Sequence, residues 1–107
     1  GPGVLIGGVP GVHAAKVVVV GGGVSGTNAI RVAMGMEAQC YVLDKSIERL
    51  SELDLQFGPM LNTIYSTFDA IEHHVATADL VIGAVLVPGA VAPKLITRAM
   101  LRQMRPG

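Results

Sequence analysis

The sequence predicts an α/β fold built on a doubly wound parallel sheet. Short apolar runs alternate with amphipathic segments along the 107 residues, as expected when strands alternate with helices. The runs are apolar at consecutive positions and not only at every second one, which is typical of parallel strands that helices cover on both faces.

Composition indicates one folded domain. Half of the residues are apolar, and eight basic residues balance eight acidic ones. A disordered chain would carry more charge and fewer apolar residues, and a nucleic-acid-binding domain would carry a basic excess. Cys40 is the single cysteine, so an internal disulfide is excluded. No apolar run reaches the ~20 residues that span a bilayer, and no signal peptide is legible. We therefore expect a cytoplasmic protein that binds neither nucleic acid nor membrane.

The first predicted strand and helix are residues 16–20 and 24–36. Lys16 is followed by four valines, and this β-branched run ends in glycines, as a fully buried parallel strand does. Small and apolar residues then continue without proline to Met36, which is typical of a helix packed closely on a sheet. We expect Gly35 to end this helix.

A second strand and a second helix follow. Residues 40–43 form a short apolar run that stops at Asp44. Ser46 is a suitable N-cap for the next helix, and Gly58-Pro59 marks its end. One side of this helix carries regularly spaced residues, namely Ile47, Leu50, Leu53, Asp54 and Phe57.

The remaining chain predicts two more strands and two more helices. Residues 62–65 suit a third, edge strand, and residues 80–86 suit a fourth. Between them Phe68, Ile71 and Val75 lie three and four residues apart, which places them on one face of a short helix. Right-handed crossovers give the strand order 3-2-1-4. The last predicted helix follows Pro93 and carries Leu95, Ile96, Ala99, Met100 and Gln103.

Both ends of the chain look like cut ends. Gly1-Pro2 resembles the scar of a removed tag, so the expected domain is residues 3–107. At the other end a helical pattern stops where a turn should lead into a further element. We therefore expect a partial sheet whose fourth strand has an open apolar edge, and such an edge favours self-association.

The clearest functional motif joins the first strand to the first helix. Gly21, Gly23 and Gly26 form the pattern Gly-x-Gly-x-x-Gly, and Asp44 follows Gly26 by eighteen positions at the end of the next strand. In a Rossmann-type fold such glycines allow a tight turn, a close approach of a pyrophosphate and close helix packing, and the acidic residue binds the adenosine ribose. The positive end of the helix faces the phosphates. A glycine-rich turn without a ligand is the alternative.

The cofactor preference follows from charge. Asp44 repels a 2′-phosphate, so NAD is favoured over NADP, although the neighbouring Lys45 softens that preference. Val85 and Leu86 end the fourth strand, where ligands bind in such folds, but a plain core position is an equally good interpretation. The sequence thus predicts a dinucleotide site.

The sequence predicts no catalytic or metal-binding residues beside this site. His73 and His74 point in different directions on a helix and are expected on the surface, not as a metal pair. Cys40 opens a buried strand and is expected to be inert. The carboxylates Glu48, Glu52 and Asp54 form a solvated helix face. His13 is expected to be exposed in a loop.

The segments around the glycine loop resemble bacterial L-alanine dehydrogenase. The similarity rests on GVLIGGVPGV at residues 3–12, ADLVIGAVLVPGA at residues 78–90 and APKL at residues 92–95, and it extends to Gly107. It implies a cytoplasmic, homohexameric, NAD-dependent oxidoreductase that interconverts L-alanine with pyruvate and ammonia. The NAD(H)-binding subunit of proton-translocating transhydrogenase, a non-catalytic dinucleotide-binding module, shares the fold and the glycine loop and is the alternative.

The resemblance also implies further contacts to the cofactor. They are Val24 and Ser25 at the pyrophosphate, Arg49 (in place of a lysine of the family) at the adenosine end, Ser66 by the adenine, and Val85, Leu86 and Leu95 on the nicotinamide side. The family's substrate-binding and catalytic residues match no position of this chain. We therefore expect the chain to bind NAD(H) without turnover, while the parent protein binds L-alanine and pyruvate through another domain.

Overall fold

The structure, a computed structural model, describes residues 14–83 and the backbone of residues 85–87, 94–96 and 100–101. Its helices are α1 (Val24–Gly35), α2 (Ile47–Phe57) and α3 (Phe68–Ala76), with a 3₁₀ turn at Gly58–Met60. Its strands are β1 (Lys16–Val20), β2 (Gln39–Asp44), β3 (Leu61–Tyr65), β4 (Leu80–Gly83), β5 (Val85–Val87), β6 (Lys94–Ile96) and β7 (Met100–Leu101).

Four strands form the parallel sheet that the sequence predicts. β1 pairs in parallel with β2 and with β4, and β2 pairs in parallel with β3. The order β3-β2-β1-β4 confirms the Rossmann-type topology, with β3 at an edge. β1 is central because its valines are buried on both faces: Val17, Val18 and Val19 are each at most 2% exposed.

Helices cover both faces of this sheet. On one face, α1 and α2 bring Ile30 and Leu53 against Val17 and Val19. On the other face, α3 brings Ile71 against Val18 and Leu43. Right-handed crossovers account for this division, because the chain moves outward through β2 to β3 and then returns past β1 to β4.

Side-chain caps fix the starts of α2 and α3. Ser46 is the N-cap of α2, as predicted, and its hydroxyl accepts the Arg49 N–H at 3.1 Å. Thr67 does the same for α3, where it accepts the Ala70 N–H at 3.1 Å. These bonds satisfy backbone donors that have no partner within the helix.

The predicted fourth strand, residues 80–86, is wrong at its end. β4 ends at Gly83, which has a φ of +132°, a conformation that interrupts an extended strand and that side chains disfavour. β5 follows as a separate strand and pairs antiparallel with β6 in a second, two-stranded sheet. The apolar sequence is uninterrupted here, so it gives no sign of the backbone break that glycine permits at residue 83.

The predicted last helix is also wrong. Leu95 and Ile96 lie in β6, and Met100 lies in β7, while Ala99 and Gln103 fall outside the described residues. Short apolar runs fit a helix and a strand equally well, so periodicity alone does not separate them. β7 pairs antiparallel with β4, with Met100 opposite Val81. The expected open edge of the fourth strand is thus paired, because the backbone groups of that edge find a partner there.

Several expectations concern residues outside the described part. The tag scar at Gly1-Pro2, the GVLIGGVPGV segment and His13 all lie there. Among the described residues, no helix is long and apolar enough to cross a membrane.

Candidate dinucleotide site

The glycine loop follows β1 and is shaped by the absence of side chains. Gly21 has a φ of +97°, and its N–H donates to the Leu43 carbonyl at 2.7 Å. A Cβ on Gly26 would lie 2.0 Å from the Gly21 carbonyl oxygen, so only glycine allows α1 to begin this close to β1. A Cβ on Gly23 would meet no protein atom within 4 Å. Gly21 and Gly26 therefore build the turn, while Gly23 presents bare backbone to open space.

α1 begins without the caps that α2 and α3 have. Its N-cap is Gly23, which has no side chain to accept a hydrogen bond, and its first turn contains no acidic residue. In α2 and α3 the first turns carry Glu48 and Asp69 in addition to the capping hydroxyls. The N–H groups and the positive dipole end of α1 thus lack a compensating anion from the side chains of its own first turn, and such a helix end binds phosphate.

Asp44 ties the loop to the end of β2. Its Oδ2 accepts the Gly22 N–H and its Oδ1 accepts the Ser46 N–H, both at 2.7 Å. These two bonds fix the orientation of the carboxylate and occupy two of its roughly four acceptor positions. The remaining positions are available to hydroxyl groups of a ligand, as expected of the residue that holds a ribose.

Arg49 holds the loop from α2. Its Nε donates to the Gly22 carbonyl, and its Nη2 donates to Thr27 Oγ1 at 2.6 Å. Its Nη1 lies 3.7 Å from a carboxylate oxygen of Glu52. The structure thus places Arg49 at the glycine loop, where its hydrogen bonds join α2 to α1. Arg49 does not line the cleft at the carboxyl ends of the strands.

A cleft of about 720 Å³ runs along the carboxyl ends of β1, β2 and β3. Its volume lies within the usual range of small-molecule sites. The predicted residues Gly21, Asp44 and Ser66 line it, and the Ser66 N–H donates to the Asp44 carbonyl at 3.0 Å. The other lining residues are Val20, Leu43, Lys45, Tyr65, Thr67, Phe68 and Ile71.

The site prediction missed most of the lining residues that β3 and α3 supply. Tyr65 and Thr67 lie where β3 ends and α3 begins, and Phe68 and Ile71 belong to α3. The rule that ligands bind beyond the carboxyl ends of parallel strands identifies Tyr65 and Thr67 once β3 is recognised. Phe68 was expected on the same helix face as the buried Ile71, but it is 74% exposed.

The remaining predicted positions lie at two places. Val24 and Ser25 are exposed in the first turn of α1, beside the loop. Leu86 and Leu95 face each other as paired residues of β5 and β6, and Val85 is in the same two-stranded sheet. The structure thus brings Leu86 and Leu95 together but places them outside the five-stranded sheet.

Alternative chemistry gains no support. Burial raises the pKa of the Cys40 thiol to about 11, so the reactive thiolate is scarce at neutral pH. His73 is exposed, and His74 packs on Tyr41 with ring centroids 5.0 Å apart. Within the described ranges no three His, Cys, Asp or Glu residues form a metal-binding group.

Comparison with known proteins gives a consistent result. The family model for "Alanine dehydrogenase/PNT, C-terminal domain" matches residues 1–107. The alanine dehydrogenases of Halomonas elongata and Mycobacterium tuberculosis are 58% and 53% identical to the chain over 107 residues. Each match covers 100% of this chain and 29% of the relative, so the chain spans less than a third of their length.

Solved structures agree with these relatives. An L-alanine dehydrogenase has a TM-score of 0.74 and 55% identity, with 83% of this chain and 25% of that chain covered. A transhydrogenase from Sinorhizobium meliloti has a TM-score of 0.57 and 28% identity, with 76% of this chain and 23% of that chain covered.

Proposed function

The chain belongs to the alanine dehydrogenase/PNT C-terminal domain family, and on this premise we propose that it binds NAD(H) as part of an L-alanine dehydrogenase. The observation that carries the cofactor assignment is the uncapped start of α1 beside the fixed carboxylate of Asp44. The uncapped helix start suits the pyrophosphate, and the carboxylate suits the adenosine ribose.

The residues of the chain have separate tasks in this proposal. Backbone N–H groups at Val24 and Ser25 bind the pyrophosphate, and Gly23 lets it approach because no side chain stands in front of it. Asp44 accepts the ribose hydroxyls and disfavours the 2′-phosphate of NADP. Ser66 contacts the adenine, Arg49 supports the adenosine end through the glycine loop, and Val85, Leu86 and Leu95 approach the nicotinamide. NAD held by these residues would supply the hydride acceptor for oxidation of the amino acid.

The whole protein is proposed to interconvert L-alanine with pyruvate and ammonia, as a homohexamer in the cytoplasm. The names of the relatives support the dehydrogenase activity, and the resemblance implies the hexamer and the cytoplasmic location. The chain alone is expected to give no turnover, because hydride transfer needs the substrate held about 3–3.5 Å from the nicotinamide. The substrate-binding residues implied by the resemblance match no position of this chain.

A transhydrogenase subunit is the alternative and is less well supported. The transhydrogenase structure has 28% sequence identity to this chain and a TM-score of 0.57. The corresponding values for the L-alanine dehydrogenase structure are 55% and 0.74. The two families share the glycine loop, so that loop does not discriminate between them. The difference in identity across the aligned chain favours the dehydrogenase.

Calorimetric titration with NADH tests the cofactor half of the proposal. The chain should bind NADH more tightly than NADPH, and Asp44→Ala should weaken the binding of NADH. Asp54→Ala is the matched control, because Asp54 is an exposed carboxylate on α2 away from the loop. A folded chain that binds no NADH would contradict the proposal.

A chimera tests the reaction. The 107 residues replace the matching segment of the Halomonas elongata alanine dehydrogenase, over which the two sequences are 58% identical. The chimera should form NADH when it receives L-alanine and NAD, and Asp44→Ala in the chimera should raise the KM for NAD. A folded chimera that binds NADH but does not oxidise alanine would overturn the assignment to alanine dehydrogenases and leave the dinucleotide site intact.

A further inference from the structure

The cleft has an aromatic side chain at its rim that the protein itself does not cover. Phe68 lines the cleft and is 74% exposed. Single exposed apolar residues are common and need no explanation. Phe68 differs because it stands over a cavity whose floor includes the buried side chains of Leu43 and Ile71. A flat apolar group of a ligand bound in this cleft would contact the ring and shield it from water.

The backbone of Phe68 is fixed. Phe68 is the first residue of α3, directly after the N-cap Thr67. The Thr67 hydroxyl accepts the Ala70 N–H, and the Thr67 carbonyl accepts the Ile71 N–H at 2.9 Å. The phenyl ring therefore moves only through its two side-chain torsions, so that a ligand pays little conformational entropy to order it.

The polar groups of the cleft lie on other elements. Gly21, Asp44 and Lys45 come from the ends of β1 and β2, whereas Phe68 and Ile71 come from α3. A nucleotide with its 5′-phosphate at the glycine loop and its ribose hydroxyls on Asp44 has only its base left to place. The part of the cleft that remains for this base is the part next to α3.

We propose that the phenyl ring of Phe68 stacks on the adenine base of the bound dinucleotide. This inference rests on the proposed function, because it assumes that the cleft holds the adenosine half of NAD(H). The ring and the base are both flat and apolar on their faces, so stacking removes both faces from water. Phe68 is thus a positioning residue that holds the adenosine half while the glycine loop holds the pyrophosphate.

A single-tryptophan variant reports on this contact directly. The chain contains no tryptophan, so Phe68→Trp introduces the only indole. Saturation with AMP should quench its fluorescence, because a base stacks on the indole. Leu55→Trp is the matched control: Leu55 is 87% exposed on α2 and does not line the cleft, so its fluorescence should not change.

An affinity measurement completes the test. Phe68→Leu keeps an apolar side chain but removes the ring, and it should weaken the binding of AMP and of NADH about tenfold. Binding of nicotinamide mononucleotide, which has no adenine, should be unchanged. Phe68→Tyr should restore the affinity for AMP. Thermal unfolding followed by circular dichroism shows that each variant is folded.

The outcomes separate this inference from the proposed function. Wild-type chain that binds neither AMP nor NADH would overturn the proposed function and this inference together. Wild-type chain that binds both, while Phe68→Leu binds both equally well, would overturn only the stacking. Equal losses for AMP and for nicotinamide mononucleotide would also overturn it, because they would indicate a general distortion of the loop.

Discussion

The two ends of the parallel sheet differ in how fully hydrogen bonds within the protein satisfy their polar groups. At the amino end these groups bond to one another. The Lys16 N–H donates to Asp79 Oδ2 at 2.8 Å, and the Asp79 N–H donates to the Lys16 carbonyl at 2.9 Å. The Lys16 ammonium donates to Thr77 Oγ1 at 2.5 Å, lies 3.1 Å from His74 Nδ1 and sits over the Tyr41 ring. This network joins β1, β2 and the residue before β4 to the end of α3.

At the carboxyl end Asp44 and Arg49 also bond to the glycine loop, but other hydrogen-bonding capacity there is left unused within the protein. α1 starts without a side-chain cap, Gly23 faces open space, and Asp44 keeps acceptor positions beyond its two backbone bonds. Phe68 leaves its ring in water above the cleft. The amino end thus stabilises the fold through this network, while polar groups at the carboxyl end keep unused hydrogen-bonding capacity at the place where parallel α/β sheets generally bind ligands.

Gly26→Ala should have the largest effect, because it removes the close packing on which the carboxyl end depends. The new methyl group would lie 2.0 Å from a backbone oxygen, so the start of α1 must move away from β1. We expect the free energy of unfolding to fall by about 3 kcal/mol and NADH binding to be lost. Urea unfolding and calorimetric titration measure the two effects.

Gly35→Ala is the matched control for this substitution. Gly35 is the last residue of the same helix, and a Cβ there would meet nothing within 4 Å. Alanine costs less backbone entropy than glycine in a helix, so we expect unchanged or slightly greater stability, by up to about 1 kcal/mol. A loss at Gly35 as large as that at Gly26 would show that α1 tolerates no added methyl group, and the close-contact argument would fail.

The difference between these two glycines also shows what the sequence can predict. Spacing identifies Gly26 because the helix must pass close to the strand, and β-branched runs identify β1 because a central strand is buried on both faces. The i, i+3, i+4 pattern identifies the side of α3 that Phe68 shares with Ile71, but not how far the sheet extends beneath it. Phe68 therefore lies on the predicted face and still remains exposed.

Other features could not be predicted because they depend on contacts between distant segments. The bonds from Asp44 and Arg49 to the Gly22 backbone join residues that are 22 and 27 positions apart. Sequence reasoning assigned both side chains to the ligand and missed their role in shaping the loop. Likewise, the break at Gly83 and the pairing of β7 with β4 depend on backbone geometry and on a free sheet edge, neither of which a local pattern encodes.

Asp44→Asn tests whether the carboxylate organises the loop in addition to binding a ribose. An amide offers one acceptor oxygen and turns its NH₂ group toward an N–H of the backbone, so one of the two donors loses its partner. The free energy of unfolding should fall by about 1–3 kcal/mol even without ligand. Asp54→Asn, at an exposed site, should change it by less than about 0.5 kcal/mol. Equal stability of both variants would limit Asp44 to ligand binding.

Arg49→Met tests the support that α2 gives to the glycine loop. Methionine keeps much of the apolar stem but loses the donors to the Gly22 carbonyl and to Thr27 Oγ1. Unfolding should become easier by about 1 kcal/mol, and NADH should bind more weakly because the loop is less well fixed. Glu52→Gln removes only the 3.7 Å contact with Arg49 and should have little effect on either measurement.

His74→Gln tests the amino end, where the smallest effect is expected. Burial lowers the pKa of His74 from its ordinary value of 6.5, and electrostatic interactions with the neighbouring Lys16 and His73 lower it further. The unfolded chain therefore takes up the proton first. The contribution of neutral His74 to stability is complete above pH 6.5 and declines as the pH falls from there through the folded-state pKa.

The protonated ring can no longer accept a bond from the Lys16 ammonium at Nδ1, and two cations then stand side by side next to the Tyr41 ring. Wild-type stability should fall more steeply between pH 7 and pH 5 than that of His74→Gln, by less than about 1 kcal/mol because solvent screens the pair. His73→Gln, at the exposed neighbouring ring, should largely keep the wild-type slope.

Because the network lies at the opposite end of the sheet from the cleft, NADH affinity should follow pH alike in wild type and His74→Gln. If the two diverged, α3 would transmit the state of His74 to Phe68, and the two ends of the sheet would not be independent.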